Sequence, residues 1–208
     1  LILCSWSKPF KAMFASGMQE SLSNRVVLEE VDDVATFEMV LKFMYTAAIK
    51  LSPETALPVL SLANRFEITP LKSICEKFIS RRIEISNCCS ILNAADRFGC
   101  ADLYQACLQF IMLNFHAVAV APGFLDLNKH CLRDIISSDE LLVRSEDFVF
   151  QSLARWVAEQ KRTSIDDILP YVRFPLMSVK FLAGVVEKNE VVMAYPRAKE
   201  LLFEAYRY

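Results

Sequence analysis

Two stretches of this chain repeat one another. Residues 60–79 read LSLANRFEITPLKSICEKFI and residues 92–111 read LNAADRFGCADLYQACLQFI. They share Leu60/Leu92, Ala63/Ala95, Arg65/Arg97, Phe66/Phe98, Leu71/Leu103, Cys75/Cys107, Phe78/Phe110 and Ile79/Ile111 at one constant offset. Each copy carries apolar residues at helical spacing on both sides of a short break, so each predicts a helix-turn-helix. Such a unit cannot cover its own apolar face, and stacking a second copy on it buries a shared core. Two copies fall short of the roughly three that a free-standing solenoid needs. The echo therefore predicts a stack of helical pairs that carries the last hairpin of a first domain into a second.

The flanking segments extend this reading. Val34, Phe37, Val40, Leu41, Met44 and Tyr45 fall at helical spacing behind Asp32 and Asp33, which are candidate N-caps. Before that helix the valine-rich RVVLEEV, and after it AIKL, each suit a short strand at the margin of a small sheet. Ser52 before Pro53 and Thr69 before Pro70 are cap-then-proline starts for two further helices. Pro58, inside the first of these, predicts a kinked first turn or a later start, because it removes a donor and crowds the preceding turn. Beyond residue 84 everything reads as helix. Ser86 opens SNCCSILNAADRF, Gly99 closes it, and ADLYQACLQFIMLNF follows. Ser145, Ser164, Ser178 and Pro196 mark later helix starts, and HAVAVAPGFLDL is the one passage of weak periodicity. No Gly/Ser linker separates the halves, so the junction near residue 84 reads as a helix packing boundary.

Composition narrows the function. At 208 residues, 54% hydrophobic, with only 4 Gly and 8 Pro, the chain is a folded one of two modest cores. A net charge of −2 without a Lys/Arg run argues against nucleic acid as a partner. Seven cysteines, two of them adjacent at Cys88 and Cys89, do not form a secreted disulfide framework and suit a reducing cytoplasm or nucleus. No apolar run is long enough to span a bilayer, and LILCSWSKPF lacks the pattern of a signal peptide. Lacking an initiator methionine, the chain reads as an internal piece of a longer protein.

Catalytic and cofactor chemistry has no visible carrier. His116 and His130 are the only histidines, and neither has a metal-ligand spacing to Cys, Asp or Glu. Four glycines form no phosphate-binding loop, and no serine sits in a nucleophile elbow. The carboxylate pairs Glu29/Glu30, Asp32/Asp33 and Asp166/Asp167 stand at strand ends or helix starts, where capping and first-turn acids belong. Cys75 and Cys107 occupy matching positions of the repeat, as small core residues do. Nothing electropositive is visible near Cys88 and Cys89 to lower a thiol pKa. No cofactor is expected.

At this point two linked motif sets become informative. LILCSWSKPFKAMFASGMQES, RVVLEEV and the helix FEMVLKFMYTAAIKL resemble the BTB/POZ fold from its central helix onward. LRDIISSDELLVRSEDFVFQSLARWV and ILPYVRFPLMSVKFLAGVV are similar to the BACK domain. The resemblance implies a mainly α chain: an α+β BTB/POZ core over residues 1–84 with a small residual sheet, packed onto an all-α BACK array of helical hairpins over 85–208. Within the latter, 86–115 corresponds to the helical pair called the 3-box. Relative to the family pattern, the leading strand, first helix and first hairpin of the BTB/POZ domain are missing, and Ala47 stands in place of the glycine usual after Tyr-Thr.

BTB–BACK tandems are typical of substrate adaptors of cullin-3 ubiquitin ligases. The resemblance thus implies a non-enzymatic protein-interaction module in a ubiquitin-conjugation pathway, with the cullin-3 N-terminal domain and a substrate protein as partners and a homodimer as the full-length state. The family's cullin-contacting motif falls on Met18 and Glu20, and Phe43 and Tyr45 line the same surface. The 3-box pair implies a groove for the cullin's N-terminal extension. What remains of the dimer interface falls on Trp6, Phe10 and Phe14. The alternative is a homo-oligomerising scaffold or transcription-linked BTB protein without cullin contact. For Met18 read without the resemblance, the competing role is a gap-filling core residue.

Overall fold

The computed structural model describes residues 2–15, 33–160 and 164–207. They group into two compact units, the first comprising residues up to 83 together with 94–104, the second 84–93 together with 105 onward. The turn of the second repeat copy therefore belongs with the whole of the first copy.

In the first unit, α1 (Ile2–Trp6) and α2 (Lys8–Met13) are short and separated by Ser7, whose hydroxyl caps α2 by accepting from the Phe10 amide. α3 (Val34–Thr46) starts at Asp33, whose carboxylate accepts from the amides of Ala35 and Thr36 and from the Thr36 hydroxyl. The Thr36 hydroxyl, with the two amides, holds that carboxyl below its ordinary pKa. α4 (Pro53–Arg65) opens on a reciprocal box between Ser52 and Thr55. It begins at Pro53 and runs on through Pro58, so the later start expected from that proline does not occur; the capping box fixes the first turn. α5 (Thr69–Ser80) follows with Thr69 already helical and Ile68 before it, one residue earlier than the proline pattern predicts.

The repeat is written in backbone geometry as well as in sequence. After α4, Glu67 (φ 52) gives its amide to Asn64 and Ile68 gives its amide to Ala63, at 3.1 and 2.8 Å. After α6 (Cys88–Phe98), Gly99 (φ 62) bonds to Asp96 and Cys100 to Ala95, at 3.2 and 2.9 Å. Both are Schellman endings in which a left-handed residue lets two amides fold back onto orphan carbonyls. Lys72 ties the copies together, its ammonium donating to the Asn64 side chain and to the Phe98 carbonyl at the end of α6. Leu60, Ala63, Leu71 and Cys75 of one copy and Leu92, Ala95, Leu103 and Cys107 of the other are buried.

The core of this unit also stacks Phe10 on Phe66 with centroids 4.8 Å apart and sets Trp6 against Phe43 at 5.3 Å. Residues 48–51, expected as a strand, are irregular: a strand needs a ladder partner, and none is present among the described residues. The other expected strand, residues 25–31, lies outside the described residues.

The second unit is built around α10 (Glu146–Glu159). α6 opens at Asn87 rather than at Ser86; the Asn87 side chain takes the Glu84 amide at 2.8 Å. α7 (Ala101–Leu113) and α8 (Phe115–Val120) follow, then a 3-10 turn over Pro122–Asp126 and α9 (Lys129–Ser137), capped by Asn128. The passage of weak periodicity is thus a short helix and a tight turn. Three side chains of α10 and the residue after it hold it: Arg155 donates to the Ala119 carbonyl, Trp156 Nε1 to Leu127 and Gln160 to Leu125, at 3.2, 2.8 and 2.7 Å.

Beyond Ser164 no α-helix forms before Val179. Pro170 and Pro175 each lack an amide, and the chain instead makes 3-10 turns over Leu169–Tyr171 and Phe174–Leu176. Ser178 caps α11 (Val179–Phe181), which widens into a π turn over Leu182–Val186. α12 (Glu190–Met193) and α13 (Ala198–Ala205) close the unit; α13 starts two residues past Pro196.

Candidate functional site

α3 has two faces because its residues differ in polarity at helical spacing. Thr36, Val40, Phe43 and Met44 are buried. Val34, Glu38, Lys42 and Tyr45 form an exposed stripe on the other side, Val34 at 67% and Tyr45 at 63% of full exposure. Next to that stripe, Met39, Lys42, Ala48, Ile49 and Lys50 line a shallow groove of about 390 Å³. Tyr45 is therefore presented to solvent. Phe43 is not; its ring is held inside against Trp6, where it supports the helix. Met18 and Glu20, the family motif, lie outside the described residues.

The three aromatic residues assigned to a dimer surface separate in the same way. Phe10 is 2% exposed and belongs to the core, because its ring stacks flat on Phe66. Trp6 is half-buried, and Phe14, stacked 6.2 Å from Phe10, is 39% exposed. A continuous aromatic surface is thus reduced to Phe14, with Ile2 also exposed on the same N-terminal helices.

The thiols are structural groups. Burial pushes Cys75, Cys100 and Cys107 up to about 12. Cys88 and Cys89 lie with their Sγ atoms 4.0 Å apart, both buried. The hydrogen bond between the two thiols lowers the Cys88 pKa, while that bond and burial raise Cys89. The perturbing group is a neighbouring thiol, which the sequence shows as plainly as it shows the absence of a cation.

Of the paired acids, Asp33 caps α3, and Asp167 pairs with Lys129. Among the described residues, no three His, Cys, Asp or Glu side chains gather to hold a metal ion, and no helix is long and apolar enough to cross a membrane. On the described surface, α3 turns outward two residues that the helical spacing places with the apolar ones, Val34 and Tyr45, beside the polar Glu38 and Lys42. Glu38 and Lys42 were not singled out from the sequence.

Comparison with known proteins accounts for the order of these elements. The BTB/POZ domain family matches residues 1–83, and the family described as BTB And C-terminal Kelch, BACK, matches residues 88–187. Kelch-like protein 28 of Homo sapiens is 32% identical over 211 residues, covering 100% of this chain and 37% of that protein. Kelch-like protein 24 of Homo sapiens is 31% identical over 212 residues, covering 100% of this chain and 35% of that protein. The chain thus spans little more than a third of the curated relatives it matches.

Proposed function

Because the chain belongs to the family of proteins in which a BTB/POZ domain is followed by a BACK domain, we propose that it is a non-catalytic adaptor of a cullin-3 ubiquitin ligase. The BTB/POZ part, residues 1–84, and the 3-box pair, residues 86–115 within the BACK part at 85–208, bind the cullin-3 N-terminal domain. A recognition domain outside this chain holds the substrate, and the protein works in the cytoplasm or nucleus.

The observation that carries this reading is the outward stripe of α3. An exposed Tyr45 beside Lys42 and Glu38 is an aromatic anchor with a polar rim, the composition of a protein-binding hot spot. Met18 and Glu20 extend the same surface by resemblance to the family motif, and Phe43 acts from beneath by holding α3 in place. A second reading, a homo-oligomerising scaffold, is favoured by the exposed Phe14 and Ile2. In it, those residues and Trp6 meet a second copy, with Phe10 as internal support.

Size-exclusion chromatography with light scattering separates the two. The adaptor predicts a stoichiometric complex with the cullin-3 N-terminal domain that Tyr45→Glu disrupts and Phe14→Ser does not. Self-association that Phe14→Ser abolishes, together with no cullin complex, establishes the scaffold instead.

A further inference from the structure

Cys88 and Cys89 are the first two residues of α6, and their Sγ atoms lie 4.0 Å apart. Consecutive residues of a helix do not face each other, so this approach is set by the side-chain torsions of the two cysteines. Both thiols are packed inside the resting fold. Their mutual hydrogen bond, with the amides of Cys88 and Cys89 at the helix start, holds Cys88 below its ordinary pKa against the effect of burial. The pair therefore offers one sulfur disposed to ionise and a second within reach of the same ligand atom.

One side of the pair has room. The 3-10 turn over Pro122–Asp126 lies against it, tied to α6 by the Asn93 side chain, which bonds the Asp126 carbonyl and the Asn128 amide. Gly123 stands in that turn beside Cys89. Apart from its chain neighbours, a Cβ built on Gly123 would meet only the Cys89 Cβ, at 3.9 Å. Its φ is not left-handed, so the backbone there does not call for glycine. Gly123 is half-buried and Pro122 exposed, and the missing side chain leaves a gap between solvent and Cys89. The donor set then selects the ligand. A structural zinc ion takes four ligands, and among the described residues no third His, Cys, Asp or Glu gathers to build such a set. Two soft sulfurs suit instead a thiophilic atom that takes two protein ligands and brings its own third substituent.

We propose that Cys88 and Cys89 form a dithiol site for trivalent organic arsenicals, R–As=O, entered past Gly123. Each thiol gives up its proton, both protons leave with the arsenic-bound oxygen as water, and two S–As bonds replace the arsenic–oxygen bond. Arsenic stays trivalent, so no oxidant or reductant is needed. The site lies in the second unit and does not depend on the adaptor reading.

Phenylarsine oxide added to the folded 208-residue chain and followed by intact-mass spectrometry tests this, with circular-dichroism melts establishing that each variant is folded. One adduct per chain is expected, with two of the seven cysteines lost to thiol titration after unfolding. Ethanedithiol should reverse it, and a monothiol at the same sulfur concentration should not. Cys88→Ala and Cys89→Ala should each weaken the adduct roughly a hundredfold, the gain of a second, intramolecular bond being lost. Cys107→Ala should leave it unchanged. Gly123→Val, which fills the gap and spares both sulfurs, should slow adduct formation about tenfold in the folded chain. No adduct before unfolding, undiminished affinity in Cys88→Ala or Cys89→Ala, loss of the adduct in Cys107→Ala, or a wild-type rate in Gly123→Val would each overturn the proposal.

Discussion

Ala47, Glu67 and Gly99 all take the left-handed backbone conformation at the end of a helix, with φ of 54, 52 and 62°. Only the last is the residue for which that conformation is unstrained. Ala47→Gly and Glu67→Gly are therefore expected to raise stability by about 0.5–1 kcal/mol each, and Gly99→Ala to lower it by about 1 kcal/mol, in urea denaturation. A Cβ at Gly99 would meet nothing within 4 Å, so the loss there measures backbone strain alone. The thiols give a second residue-scale test. Cys75, Cys100 and Cys107 are raised from the ordinary value of 9.0 to about 12 in the fold. Their contribution is complete below pH 9. Between 9 and 12 the unfolded chain releases thiol protons that the folded chain keeps, so stability falls as pH rises. Denaturation midpoints should decline over that window, and less steeply in a Cys75→Ala/Cys107→Ala variant.

At the scale of elements, α10 organises its unit through side chains that satisfy a distant backbone. Trp156 is 1% exposed, and its indole donates to Leu127 at 2.8 Å. Trp156→Phe keeps most of the apolar volume but leaves that buried carbonyl unpaired, and is expected to cost about 1–3 kcal/mol by thermal or urea unfolding. Asn93 holds the same loop from α6, donating to the Asp126 carbonyl and accepting from the Asn128 amide at 2.8 and 2.9 Å. Asn93→Leu should cost a similar amount. These contacts mark the limit of what periodicity reveals. α3, α4, α5, α6, α7 and α10 were legible because their apolar spacing is local, and for α3 and α4 the caps Asp33 and Ser52 were legible too. The loop around Pro122–Asp126 was not, because its partners come from residues about thirty positions away. The helix expected from Ser164 fails for a local reason, the two prolines whose missing amides favour short 3-10 turns. The repeat was legible to the level of its turns, since Glu67 and Gly99 occupy equivalent positions.

At the scale of the whole molecule, family membership and the order of its two domains follow from motifs that span nearly the entire chain. Individual contact residues were less legible, because helical spacing alone does not say which aromatic faces outward. Phe43 and Tyr45 are two residues apart on α3, yet one is 2% and the other 63% exposed. The proposed role at this scale is docking of a cullin. Isothermal titration calorimetry of the cullin-3 N-terminal domain against this protein, as wild type and as Met18→Asp, tests it. Docking predicts saturable binding by the wild type and a loss of roughly thirtyfold or more, about 2 kcal/mol, in the variant. No saturable heat from the wild type, or equal affinity for both, would contradict it.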